Sequence, residues 1–296
     1  MSTQQTAKTH FIEGSKGIFA YRRFGASTGT SLLCVIHYRG TMDKWDPLFI
    51  NALAASRSLI LVDYLGIGKS TGRVATSFAD SADDVLEFLS LIKVNEVDVL
   101  GFSIGGLVAQ LIALNKPEGL DIPHVIICGS SASLGPDMPV TTNDYSVANS
   151  ETLTWEHFHT LFFPHDDAGK EATQAFWKRL QERTKGSSGE DLTDWASQGG
   201  ADGGAAIKAQ GQAYGAILTP ETSKGREGTY DRLGELRMAV LVAQGSDDWM
   251  FPTLNSYHLQ QKVPNGQLNV YPHSGHGFLY QYPERVAQDI VAFVGR

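Results

Sequence analysis

The sequence predicts an α/β fold, a mostly parallel central sheet flanked by helices and interrupted by one helical insertion. Three observations carry this. Short, continuously apolar runs, among them residues 32–36 (LLCVI), 59–62 (LILV) and 124–128 (HVIIC), alternate with helix-length segments, as strands covered on both faces do. The rhythm stops after Gly129 and resumes at 239–243 (AVLVA) and 268–271 (LNVY). At one junction a β-rich run, 97–100 (VDVL), passes through Gly101-Phe102-Ser103-Ile104-Gly105 into a helix-forming run, 107–110 (LVAQ).

Taken in order, residues 10–13 and 18–21 read as a hairpin around a turn at 14–17. The run at 32–36 leads into His37-Tyr38-Arg39-Gly40-Thr41, and a helix is expected after Trp45-Asp46-Pro47, with proline in its first turn. The strand at 59–62 runs into a glycine-punctuated loop from Asp63 to Ser70. Phe78, Ala82, Val85, Phe88, Leu89 and Ile92 recur at helical spacing and form one face. The last helix carries Val286, Ile290, Val291 and Phe293. Between 132 and 230 strand signals are absent, and Trp155, Phe158, Phe162, Phe163, Phe176, Trp177, Trp195 and Tyr214 fall at irregular helical spacings. Two pieces within it, 185–189 and 199–204, read as flexible. The chain thus divides into a core of 1–131 and 231–296 and a helical insertion of 132–230 lying over the sheet.

Composition excludes several classes. At 296 residues the chain has ample length for a sizeable core. A net charge of -8, with no basic stretch to offset it locally, argues against nucleic acid as a partner. The polar N-terminal segment lacks the apolar stretch of a secretory signal, and no run of about 18 apolar residues could span a membrane. Cys34 and Cys128 both fall in expected core strands and read as small hydrophobes in a reducing compartment, so a cytoplasmic location is expected.

The chemistry centres on Ser103. A serine on a tight, strained turn crowds positions two residues away, which favours glycine at 101 and 105. A nucleophilic serine also needs a base and a carboxylate to orient that base. In G-x-S-x-G hydrolases these follow in the order serine, acid, histidine, each after a later strand. Here Gly245-Ser246-Asp247-Asp248-Trp249-Met250-Phe251-Pro252 follows the run at 239–243, and His273-Ser274-Gly275-His276-Gly277 follows that at 268–271. The C-terminal ends of parallel strands share one edge, where such loops converge.

With these motifs the chain resembles the α/β-hydrolase fold family, in its branch of small serine esterases, lactonases and cofactor-free haloperoxidases, over roughly residues 10–131 and 231–296. The resemblance implies that 132–230 is a cap. The family pattern G-x-x-D-x-x-x-P falls on Gly245, Asp248 and Pro252, which implies Asp248 as the acid with Asp247 second. Ser274-Gly275-His276 implies His276 as the base, and Asp63 to Ser70 matches a structural D-x-x-G-x-G-x-S turn. The oxyanion hole should combine the backbone N–H of Ile104 with one from the loop after 32–36, where the family reads His-Gly-X. This chain has His37-Tyr38-Arg39; Arg39 aligns with the usual donor and Tyr38 replaces the glycine, so the donor lies between the two. The Arg39 side chain has two readings, a fork for a substrate carboxylate or carbonyl, or an ion pair to Asp43 or another loop carboxylate. Serine at position 103 separates the chain from the dehalogenase and epoxide hydrolase branches, which the resemblance says use aspartate there.

The expected activity is hydrolysis of a carboxylic ester or lactone of a small, largely apolar molecule, with Tyr38, Arg39, Trp155, Phe162 and Trp249 as candidate contacts. C–C bond hydrolysis, cofactor-free perhydrolysis and ligand binding without catalysis are the alternatives. No cofactor is expected. His157, His159, His165, Asp166 and Asp167 lie close in sequence but form no complete metal-ligand set at recognisable spacing, so they read as a solvated surface with no metal.

Overall fold

The structure, a computed structural model, describes residues 2–198 and 202–295. The hairpin forms as β1 (His10–Glu13) and β2 (Ile18–Gly25), closed by Gly14 N–H donating to Gly17 O at 2.8 Å. Strands and helices then alternate: β3 (Ser31–Val35), α1 (Pro47–Ala54), β4 (Ser58–Val62), α2 (Phe78–Leu91), β5 (Val97–Phe102), α3 (Ile104–Asn115) and β6 (His124–Cys128). Four helices follow with no strand among the described residues: α4 (Trp155–Phe162), α5 (Asp167–Arg179), the single turn α6 (Lys185–Ser188) and α7 (Ala205–Ile217). The alternation returns with β7 (Ala239–Gly245), α8 (Thr253–Lys262), β8 (Gly266–Tyr271), the short α9 (Phe278–Gln281) and α10 (Pro283–Val294).

Local chemistry explains the helix starts. Pro47 opens α1 without an N–H to lose, and the Asp46 carboxylate accepts from Leu48 N–H at 2.9 Å. Ser77 caps α2 by accepting from Asp80 N–H. Of residues 185–189, expected to be flexible, 185–188 instead form α6, because Thr184 caps the turn, and its last residue, Ser188, is buried. Of the other expected flexible piece, 199–201 lie outside the described residues, while Gly203 and Gly204 take left-handed φ of 63° and 80° leading into α7.

The eight strands form one sheet in the order β1-β2-β4-β3-β5-β6-β7-β8, antiparallel at β1–β2 and β2–β4 and parallel elsewhere. The connections reverse direction between β3 and β5, so the loops after those strands open a crevice at the carboxyl edge. Strands β3 to β7 are buried almost throughout, and α2 turns Phe78, Ala82, Val85, Phe88 and Leu89 into the core. Cys34 and Cys128 are buried free thiols in β3 and β6. No helix among the described residues is long and apolar enough to cross a membrane.

Buried polar contacts tie the helical segment 132–230 to the sheet. Asp43 lies between Arg22 of β2 at 2.6 Å and Arg183 at 3.0 Å, and it also accepts from the Thr193 amide and hydroxyl. Arg183 continues to Glu190 and to the carbonyls of Gln4 and Ala7. Burial pushes the Asp43 carboxyl up, but Arg22 and the Thr193 amide outweigh it and hold it below its ordinary value. Arg179 of α5 forks onto Asp46, at 2.9 and 2.6 Å. Asp43→Ala leaves two buried guanidinium groups short of their counter-charge and is expected to cost about 3–5 kcal/mol. Urea unfolding measures this, and a loss under about 1 kcal/mol would show that the cluster does not hold the two parts together.

Candidate active site

Ser103 stands between β5 and α3 with φ 60° and ψ −125°, a conformation that costs a non-glycine residue and is held by its surroundings. Its N–H donates to Cys128 O at 2.9 Å, and its carbonyl accepts from Gly106 N–H. The two flanking glycines are compelled by space. A Cβ on Gly101 would lie 2.0 Å from Gly105 O, and one on Gly105 would lie 2.2 Å from Val35 O. The turn therefore presses α3 against the end of β3, which leaves Ser103 3% exposed at the crevice.

The loops after β7 and β8 meet here. A Cβ on Gly245 would sit 2.2 Å from Gly275 O, so the two loops are in backbone contact. Across that contact His276 Nδ1 lies 2.8 Å from Asp248 Oδ2, with both side chains fully buried. Asp248 Oδ2 also accepts from Gln244 Nε2, and Oδ1 accepts from the amides of Met250 and Phe251. A carboxylate so placed accepts the Nδ1 proton and leaves a lone pair on His276 Nε2. That Nε2 is buried with no partner among the described residues. The imidazole is sandwiched by Phe102 and Phe251, at 5.0 and 5.6 Å between centroids, with Phe162 edge-on at 4.9 Å. Asp247, the second candidate acid, is exposed and bonded to its neighbour Ser246.

The loop after β3 departs from expectation. Arg39, aligned with the usual oxyanion donor, has its N–H committed to Gln210 Oε1 of α7 at 2.9 Å, and its carbonyl accepts from Ala196 N–H. Its guanidinium is neither a substrate fork nor paired to Asp43. It is buried and donates to the carbonyls of Ala196, Ala148, Ser150 and Glu151. A φ of 64° at Arg39 directs both its backbone and its side chain into the helical segment. Among the described residues, the amides of Tyr38 and Ile104, which line the same cavity as Ser103, have no partner.

Asp63 anchors the same loop, accepting from Met42 N–H at 2.7 Å and Lys69 N–H at 2.9 Å. Burial nevertheless pushes its carboxyl up to about 6. A Cβ on Gly68 would strike the Asp63 carboxylate, which accounts for that glycine. His37 is buried beneath this loop, in edge contact with Phe102 and Phe162, and its Nδ1 lies 2.9 Å from Tyr38 O. Burial pushes the His37 imidazole down to about 3.

Ser103 opens on a cavity of about 270 Å³. Tyr38 lines it, with its hydroxyl donating to Asn149 Oδ1 and Ile207 O. Phe162 lines a smaller void beside Ser103. Trp155 and Trp249, expected as contacts, line neither void. Trp249 packs edge-on against His165, and Trp155 is the first residue of α4. Most of the segment's other aromatics serve packing as well: Phe158 lies on Trp195 and Phe162, and Phe176 stacks on Tyr280 at 4.3 Å. The walls come instead from Tyr145, Tyr214, Leu218, Met250 and Phe251. Of these, only Met250 and Phe251 lay beside a recognisable motif; Tyr214 carried only its aromatic spacing, and Gln210 carried no signal. The histidines of 157–165 bond to backbone nearby: His157 accepts from Thr154 N–H, while His159 and His165 face the carbonyls of Pro164 and Thr160.

A family profile described as alpha/beta hydrolase fold matches residues 33–283. An alpha/beta hydrolase fold protein from Chitinophaga pinensis superposes with a TM-score of 0.84 at 31% identity, covering 99% of each chain. The RutD protein of Caulobacter sp. (strain K31), named for carbamate hydrolysis, is 24% identical over 86% of this chain and 87% of its own. The 2-hydroxymuconate semialdehyde hydrolase of Pseudomonas putida is 23% identical over 88% of this chain and 85% of its own.

His37 makes stability pH-dependent with a defined sign. Its value falls from 6.5 to about 3 on folding, so between those limits the unfolded chain binds more protons, and stability declines as pH falls. The slope from this residue is up to about 1.4 kcal/mol per pH unit. Urea midpoints at pH 6.5 and 4.5 are expected to differ less in His37→Leu than in the wild type. Equal differences would remove His37 as the cause.

Proposed function

The chain belongs to the α/β hydrolase fold family, and from that premise we propose that it is a serine hydrolase cleaving a carboxylic ester or lactone of a small, largely apolar substrate. One observation carries the reading. The strained Ser103 turn and the buried Asp248–His276 pair lie on loops that leave the same edge of the parallel sheet.

In this reading His276 Nε2 takes the Ser103 proton as Oγ attacks the substrate carbonyl, and Asp248 holds the imidazole in the required tautomer and balances the imidazolium. The tetrahedral oxyanion is received by the amides of Ile104 and Tyr38, the pair with protons to give, rather than by Arg39. The imidazolium then protonates the leaving alkoxide. Water, deprotonated by His276, attacks the acyl-enzyme and releases Ser103. The three phenyl rings around His276 exclude water from the base except along the cavity. The helical segment 132–230 serves as the cap over this cavity, latched through Arg39. The cavity favours a small substrate with apolar surface over a peptide.

A fluorophosphonate probe is expected to label the wild type and not Ser103→Ala. Turnover of p-nitrophenyl butyrate should fall by about 10⁴ or more in that variant. Labelling that persists without Ser103, or hydrolysis equal in both proteins, would refute the assignment. Asp248→Asn keeps the packing but misorients the histidine, and kcat is expected to drop by about 10³–10⁴ with KM little changed.

A further inference from the structure

One wall of the cavity is helix α7, which presents Gly211, Tyr214 and Gly215, with Leu218 just beyond its end. Glycine inside a helix is destabilising relative to alanine, so two of them on one turn call for a local reason. Packing does not supply it. A Cβ on Gly215 would meet nothing within 4 Å, and one on Gly211 would approach only the Tyr38 hydroxyl, at 3.9 Å. Neither glycine has a positive φ. Both glycines are exposed and line the mouth of the cavity onto which Ser103 opens, and Ser103 is itself buried with no hydrogen bond to its hydroxyl among the described residues.

The chemistry of the walls defines what lies there. No lysine, arginine, aspartate or glutamate is among the lining residues, and Arg39, the nearest arginine in sequence to this loop, is spent on backbone carbonyls. The polar groups on offer are neutral, at Asn149 and the tyrosines 38, 145 and 214. Tyr214 packs edge-on against Phe251, whose ring stacks on His276, so ring contacts connect the α7 wall to the base. An ionised group carried past α7 toward buried Ser103 would give up hydration and meet no counter-charge on these walls.

We propose that Gly211 and Gly215 set the specificity of this site, leaving a trough on α7 for the longer arm of an uncharged ester or lactone. The proposal rests on the serine hydrolase reading. Gly215 is then kept for the volume it leaves empty, and its cost to the helix is the counterpart of that volume.

The test uses the full-length protein, its Gly215→Ala and Gly215→Leu variants, and two ester series: p-nitrophenyl acetate and hexanoate, and ethyl and hexyl acetate. Gly215→Ala is expected to melt about 2 °C above the wild type, because helix propensity rises and its Cβ meets nothing within 4 Å, and the melting curve of Gly215→Leu is read beside it to show a folded protein. In one series Gly215→Leu should lower the ratio of kcat/KM for the long member to that for the short member at least about tenfold. In the wild type, the p-nitrophenyl half-ester of adipic acid, which carries a terminal carboxylate, should be at least about tenfold poorer than the hexanoate. Unchanged length profiles in both series, a loss uniform across chain lengths, or a preference for the half-ester would each overturn the proposal while leaving Ser103-dependent hydrolysis intact. Absence of Ser103-dependent fluorophosphonate labelling in the wild type would overturn the hydrolase reading and the proposal together.

Discussion

The close approach of α3 to the end of β3, made through Gly105, is the constraint on which the rest of the site depends. With no side chain at 105 the helix can touch the Val35 and Ile36 carbonyls, and with none at 101 the strand can touch Gly105. Only then does Ser103 reach the crevice at a φ of 60° while its own amide stays bonded to β6. The strain is local, and the buried β5–β6 pairing and the core under α3 bear it. The loops carrying Asp248 and His276 repeat the device through Gly245, whose missing Cβ lets two backbones touch.

Arg39 is where this chain differs most from the simple plan. Replacing the small residue of a His-Gly-X loop with Tyr38, followed by an arginine at positive φ, would ordinarily disturb the turn. Here the disturbance is recruited. The backbone of Arg39 bonds to Gln210 and Ala196, its guanidinium to Ala196 again and to three further positions, and the Tyr38 hydroxyl to Asn149 and Ile207. A charge this deeply buried is tolerable because oriented carbonyl dipoles replace its water. The consequence is mechanical. The loop that supplies a proposed oxyanion donor is tied by these bonds to the helical segment 132–230.

Much of this was legible in the sequence because it is local or periodic. Continuous apolar runs marked β3, β4 and β6, since strands buried on both faces have no polar side to show. Proline at 47 and serine at 77 marked helix starts for reasons contained within four residues. What escaped depended on distant partners. Arg39 looked like a substrate ligand or a partner for Asp43, but its acceptors lie 109 to 157 residues away and are backbone carbonyls, which carry no sequence signature. Trp155 and Trp249 looked like pocket residues because they are large and aromatic, properties shared by side chains that fill a core.

By itself, then, the sequence determined the α/β architecture, the family resemblance and the three loops on which Ser103, Asp248 and His276 stand, because periodicity, turn sterics and motif spacing are written within short stretches. The motif spacing put Asp248 ahead of Asp247, and the tertiary structure buries Asp248 against His276 while leaving Asp247 exposed. Tertiary structure alone decided which amides beside Ser103 remain free, and that glycines on α7 rather than tryptophans shape the cavity. Those outcomes follow from where segments far apart in the chain come to rest against one another, and a volume left empty between them belongs to no single residue.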